Sequence, residues 1–325
     1  MSRRSTLAGA AAVALVASAA VPAWAGQGNG NGSSTPTSIE SQVSVVASDS
    51  GAGGKHLVSV GGSWTPPACW YEPHFTADQY DQYWQDLLAA MPPGSFKSDA
   101  QKQYDALKAE NFNRDKAGQW WVLVKSKAAW DLPVTDQCTQ NAGAIFVPPA
   151  GPPAGVPAVT PQMLSKIAYA ATKLPPPQVK LSPAADKQTV NLATYVSFGQ
   201  PLSPVTVTAS LDYAGVRIAA STLAVPTSLH VDAGTDDASP RSCTYSFTKS
   251  GSGYQVDSSG ANCNITYQRS SRGGTYPLTA EVTWKVTWTP STNPYGAPAN
   301  PLPNGLTGGV PQDVVVKEIQ TIVTG

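Results

Sequence analysis

Three groups of residues carry side chains able to do chemistry, and each implies a different kind. The first is the stretch Ser63-Trp64-Thr65-Pro66-Pro67-Ala68-Cys69-Trp70-Tyr71-Glu72-Pro73-His74-Phe75. It sets a carboxylate, Glu72, two residues from an imidazole, His74, beside Trp64, Trp70 and Tyr71. A Glu–His pair against an aromatic wall can serve as general acid or base. Aromatic rings with one polar edge can also stack on sugar rings. The competing reading needs no ligand: the rings fill a small core and the charged groups face solvent. The second group is Asp232, Asp236 and Asp237, in Val231-Asp232-Ala233-Gly234-Thr235-Asp236-Asp237. Hard carboxylate oxygens suit Ca²⁺, but Asp in a turn also satisfies its own backbone, and a turn is the expectation here. The third group is the cysteines: Cys69, Cys138, Cys243 and Cys263. An even count in an exported chain favours disulfides, and four cysteines allow three pairings. Cys69–Cys138 and Cys243–Cys263 keep each bridge inside one expected domain.

Other chemistries fail on spacing. Zinc is a poor fit, because no C-x-x-C is present and His56, His74 and His230 are scattered. Gly26-Gln27-Gly28-Asn29-Gly30 follows no strand, so it does not make a dinucleotide loop. Gly54-Lys55 is followed by His56, and Asp49 stands where a phosphate loop needs its leading Gly. No G-x-S-x-G elbow occurs. We therefore expect no cofactor and no catalytic residue.

The elements that must position these groups read as follows. Thr76 with Gln79 forms a capping box, and Tyr80, Trp84, Leu87, Leu88 and Met91 line one helical face. Pro92-Pro93-Gly94 stops that helix, and Ser98 with Gln101 opens a second, with Tyr104 and Leu107 inward. Gln119 to Lys125 reads as a buried strand, whereas the prolines of the aromatic stretch predict an ordered loop. Ser41 to Ala47 and Lys55 to Val60 are short candidate strands. Val147 to Pro161 is Pro, Ala and Gly and predicts extended linker. A helix follows, carrying Leu164, Ile167, Ala168, Ala171 and Leu174, and Pro175-Pro176-Pro177 ends it. Beyond Gln178 the pattern is β. Its clearest strand is Thr275 to Thr289, with Tyr276, Leu278, Ala280, Val282, Trp284, Val286 and Trp288 on one face. Val205 to Leu211 and Val216 to Ser221 flank a hairpin turn. Thr189 to Phe198, Cys243 to Phe247, Asn262 to Gln268 and Val314 to Ile322 are further strand candidates.

The chain opens on Ser2-Arg3-Arg4, an apolar run from Leu7 to Val21, and Ala23-Trp24-Ala25. That order of segments is an export signal, with cleavage expected before Gly26 and either the Sec or the twin-Arg route open. The apolar run is shorter than the ~20 residues that span a bilayer, so the mature protein is expected to have no membrane span. Net charge is zero and 13% of residues are charged. A neutral chain without a basic stripe does not suit phosphate backbones, so no nucleic-acid partner is expected.

Asn264-Ile265-Thr266-Tyr267, followed by Gly274-Thr275-Tyr276-Pro277-Leu278-Thr279-Ala280-Glu281-Val282-Thr283, resembles the end of a polycystic-kidney-disease (PKD) type domain. That resemblance implies an immunoglobulin-like sandwich, with the family's tight Gly-Asp-Gly loop near Val231 to Asp237. More broadly, the stretch from Leu174 to Val323 resembles a family of secreted actinobacterial proteins of unknown function. The matching features are Leu174-Pro175-Pro176-Pro177, Thr189-Val190-Asn191-Leu192-Ala193-Thr194, Cys263 with Thr266-Tyr267, Thr283-Trp284-Lys285-Val286-Thr287-Trp288 and Glu318-Ile319-Gln320. Members are sometimes labelled enoyl reductase or ATP/GTP-binding, labels that no motif in this chain supports.

The expected architecture is an α+β N-terminal domain followed by an all-β PKD-like sandwich. Its segments are a signal peptide (1–25), a flexible leader (26–40), a small α+β domain (41–146), a Pro-rich linker with a helix (147–177) and the sandwich (178–325). The expected role is a secreted non-catalytic binding or structural protein whose partner is a cell-wall glycan or another extracellular protein. The alternative is an extracellular hydrolase, or its accessory module, acting on polysaccharide or protein.

Overall fold

The computed structural model describes residues 43–47, 58–59, 67–125, 143–213 and 215–319. The export segment, the leader, Trp64, Cys138 and most of Lys55 to Val60 lie outside the described residues. Two compact units emerge, one drawn from Thr65–Thr160 and Ser210–Ile218, the other from Pro161–Ala209 and Ala219–Gly325.

The first unit is built on a three-stranded antiparallel sheet in the order Cys69–Phe75, Gln119–Lys125, Ala144–Val147. Cys69–Phe75 is a strand, which corrects the expectation of a loop. Only Pro73 of the local prolines falls inside it, and the register shifts between Pro73 and Phe75. Cys69–Phe75 ends the ladder, where a residue without an N–H is tolerated beside a bulge. Its outer side is met at Tyr71: the Tyr71 N–H donates to Pro157 O at 2.6 Å, and the Val159 N–H to Tyr71 O at 2.9 Å. Those two bonds draw the Pro-rich segment up to Thr160 into the first unit, so it does not serve as a free linker.

The helix Ala77–Ala90 begins as its sequence requires. Thr76 Oγ1 accepts from the Gln79 N–H at 3.3 Å, and Gln79 Oε1 accepts from the Thr76 N–H at 2.8 Å. Tyr80, Trp84 and Leu88 are buried against Ala100, Phe112 and Trp120. The second helix, Ser95–Ala109, starts ahead of the expected Ser98, because Gly94 takes the cap position without any side-chain hydrogen bond. After it, Asn111, Phe112 and Asn113 hold φ of 50°, 51° and 57°. Left-handed backbone costs about 1–2 kcal/mol per L-residue. The cost is offset by the full burial of Phe112 and by the Trp120 indole N–H, which donates to the Phe112 carbonyl at 2.9 Å.

In the second unit two antiparallel sheets share one apolar core. In the larger, Val216–Asp232 and Tyr276–Thr289 are neighbours; Ser242–Ser246 pairs with the former, and Gly305–Gly308 and Gln312–Val314 with the latter. The smaller runs Ala238–Ser239, Ile265–Tyr267, Ala193–Phe198, Val179–Ser182. Leu229, Val231, Tyr245, Leu278, Val282, Trp284 and Val286 from the larger sheet meet Val196, Ile265 and Tyr267 from the smaller. The arrangement is β-rich and sandwich-like. Along Tyr276–Thr289 the alternating residues from Leu278 to Val286 are buried, as period-2 spacing demands. The alternation fails at the end: Trp288 is half-buried while Thr289 is buried, its hydroxyl donating to Asn293 O at 2.7 Å. The helix Pro161–Ala171 belongs to this unit and places Tyr169 against the same core. Among the described residues no helix is long and apolar enough to cross a membrane.

Candidate functional site

Because Cys69–Phe75 is a strand, its side chains alternate between two faces. Trp70 and Glu72 share one face, and Glu72 Oε2 accepts from the Trp70 indole N–H at 3.2 Å. Tyr71 points to the other, into a cluster with Trp121 and Val147. Relative exposures are 0% for Trp70, 3% for Tyr71 and 3% for Glu72. This corrects the expectation of a solvated carboxylate: Glu72 is sealed in by the same pairing that makes the segment a strand. Of the three rings expected to stack on sugar, Trp70 and Tyr71 are buried, and Trp64 lies outside the described residues. His74 is half-buried, its ring edge-on to Phe75 at 4.6 Å between centroids. Burial pushes the His74 imidazole pKa below its ordinary value. The imidazole is therefore held towards its neutral form.

The three aspartates form a turn. Asp232 Oδ1 accepts from the Gly234 N–H at 2.8 Å, and Thr235 Oγ1 from the Asp237 N–H at 3.1 Å. Gly234 has φ +73°, and a Cβ there would run into the Pro277 carbonyl oxygen, so glycine is required. Arg241 bridges Asp232 at 3.4 Å and Asp236 at 2.7 Å, and Arg269 approaches Asp237 at 3.6 Å. The carboxylates are thus engaged with backbone and guanidinium groups. Among the described residues no group of three or more His, Cys, Asp or Glu is placed to hold a metal ion.

Cys243 and Cys263 are bonded, with 5.8 Å between their Cα atoms. The pairing is the expected one. Cys243 sits in Ser242–Ser246, which pairs with Val216–Asp232 in the larger sheet. Cys263 lies just before Ile265–Tyr267, a strand of the smaller. The bridge therefore staples sheet to sheet. Cys69 is also disulfide-bonded, and no cysteine among the described residues is free.

A further feature was not visible in the sequence. Val190, Gln268, Arg269, Ser270, Arg272 and Glu318 line a cleft of about 200 Å³ on the second unit. The usable signal was Gln268-Arg269-Ser270-Ser271-Arg272, two cations flanking two serines in one turn. What that run lacks is any sign that Val190 and Glu318 fold beside it.

The described chain thus falls in the class of disulfide-stapled, mostly β proteins with a sandwich-like unit. Family models, curated proteins and solved structures offer no match to it.

Proposed function

We propose that this chain is a secreted, non-catalytic binding or structural protein of the extracellular space or cell envelope, and that its second unit is a PKD-like, immunoglobulin-like sandwich. The observation that carries the reading is the oxidised state of every described cysteine, Cys69, Cys243 and Cys263. Disulfides persist outside the reducing cytoplasm, and the export-type segment ending at Ala25 agrees with that. The non-catalytic part is supported by how the acid–base candidates are used. Glu72 holds an indole in the interior and Asp232 a turn.

The PKD-like reading draws support from where its motif residues meet. Tyr267, from Ile-Thr-Tyr, is buried and stacks on Tyr276, from Gly-x-Tyr, at 5.6 Å and 6°. The Tyr267 hydroxyl points back to the turn at Ala233 O, at 3.4 Å. Burial, reinforced by the charge of Asp232, raises the Tyr267 phenol pKa and keeps it a neutral donor.

The test is expression of the full chain in a bacterial host, followed by fractionation, N-terminal sequencing and peptide mapping without reductant. The expected product is extracellular, begins at Gly26 and carries no alkylatable thiol. A cytoplasmic product with free Cys243 would overturn the reading. Release of sugar or peptide from cell-wall material by the purified protein would overturn the non-catalytic part.

A further inference from the structure

The cleft lined by Val190, Gln268, Arg269, Ser270, Arg272 and Glu318 sets two guanidinium groups and one carboxylate around a backbone floor held by hydrogen bonds.

The floor is fixed from three sides. The Gln268 N–H donates to Asp237 O at 2.7 Å, and the Ser271 N–H to Val316 O at 3.0 Å. Ser271 Oγ accepts from the Val316 N–H at 3.2 Å, and the Tyr276 hydroxyl donates to Ser270 O at 3.1 Å. On the facing side the Val190 N–H donates to Lys317 O at 3.0 Å, and the Asn191 N–H to Tyr267 O at 2.9 Å. A ligand meeting this turn has little ordering to impose, which lowers the cost of binding.

Arg269 is paired with Asp237 at 3.6 Å, while Arg272 joins no ion pair among the described residues. Arg272 is also held at φ +50°, where glycine would be at ease and arginine is strained. A non-glycine residue held in strained backbone beside a cleft points to a use for its side chain.

Glu318 lines the same space, and its carboxylate discriminates among anions. A phosphate, carrying close to two charges, meets repulsion there. A carboxylate needs only one guanidinium fork, and an amide N–H or hydroxyl beside it can donate to Glu318.

We infer that this cleft binds the carboxylate end of an extracellular ligand, with Arg272 as the principal contact, Arg269 and Ser270 beside it, and Glu318 accepting from the ligand's neighbouring donor. The small volume suits a chain end or a single acidic sugar rather than a whole molecule. The inference names a ligand chemistry for the binding role proposed above and rests on that role, but not on the protein's compartment.

The experiment is a ligand-observed NMR titration of the purified, oxidised full chain with four probes: alanyl-alanine, alanyl-alanine amide, glucuronic acid and inorganic phosphate. Saturable binding of the dipeptide or of glucuronate is expected, the tighter of the two giving the source as peptide end or acidic glycan. The amide should not saturate, and phosphate should bind more weakly than the better carboxylate. Arg272→Gln should weaken the carboxylate by about tenfold or more, the value of one charge-assisted bond. Arg272→Gly relieves the backbone, so it should keep or raise the melting temperature and still lose binding, which separates recognition from folding. Glu318→Gln should narrow the gap between phosphate and carboxylate. Three results would each overturn the inference: no saturation by either carboxylate, unchanged affinity in both Arg272 variants, or phosphate tighter than both acids. A chain that stays in the cytoplasm yet binds alanyl-alanine would sink the secretion reading and leave this one standing.

Discussion

Removing the inter-sheet staple gives the sharpest quantitative test of the fold. In the variant Cys243→Ala/Cys263→Ala, the unfolded chain regains the freedom of a loop whose ends are 20 residues apart. Loop-closure entropy for that length is about 11 cal/mol/K, or about 3 kcal/mol at 25 °C. Cys243 is also a buried member of the core, so the lost sulfur adds a packing cost of about 1 kcal/mol. The sum, about 3–4 kcal/mol, is a large share of a domain's usual 5–15 kcal/mol. With a urea slope of about 1–3 kcal/mol/M, the unfolding midpoint should fall by about 1–4 M. The assay is urea unfolding followed by amide exchange, read at Val282 and Ile265, which belong to the shared core from the two sheets. Amides of Gln119–Lys125, in the first unit, serve as the internal control. A midpoint shift under about 0.3 M at Val282 would show that the bridge does not limit the unfolded chain as the loop-closure argument requires. An equal shift in the control strand would show that the bridge does not act on the sandwich in particular.

Gly234→Ala should cost about 2–4 kcal/mol, the left-handed backbone term plus displacement of Pro277. Gly215→Ala, at φ +85° with open space around it, should cost only the first term, and thermal melts of the two compare them directly. Burial lowers the His74 pKa, so the folded state binds its proton less readily than the unfolded chain. Its contribution to stability is therefore complete above the ordinary histidine range of about 6.5 and is lost as pH falls through the folded value. Melting temperatures from pH 7.5 down to 5 should decline less steeply in His74→Gln. Leu278→Ala should destabilise by about 2–5 kcal/mol and its neighbour Thr279→Ala by under about 0.5, since only Leu278 faces the core. Equal losses in urea unfolding would contradict the face assignment.

Where the sequence was legible, its signal was local. The capping box at Thr76 and Gln79 needs only four consecutive residues. The strand Tyr276–Thr289 announces itself by fourteen residues of alternation. Where it was not legible, a distant partner decided. Cys69–Phe75 reads as loop because Pro73 removes a donor, yet Gln119–Lys125 offers enough partners elsewhere along the strand to hold it. Ala144–Val147 is a four-residue apolar run leading into prolines, too short to separate from the linker that follows. Ser98 looked like the second helix's cap because Ser with Gln three residues on is the usual box; Gly94 opened the helix earlier by taking the bend at the Pro-Pro-Gly stop.

The same division runs through the sites. Residue type identified Glu72, His74 and the three aspartates as able to do chemistry, but chemistry also requires access, and access is a property of pairing. One edge ladder and one indole N–H turned Glu72 from a surface acid into an interior acceptor. The aspartates met two arginines, Arg241 close by in sequence and Arg269 several strands further on, and only the second pairing is hidden from local pattern. The converse holds for Arg272, an unremarkable polar-turn residue by type. Its strained backbone and the arrival of Glu318 from the chain's last strands are both consequences of tertiary folding. In this protein the residues that looked reactive are spent on structure. Arg272, by contrast, sits in a turn that local pattern would assign to solvent, and only the fold brings it into one cleft with Glu318.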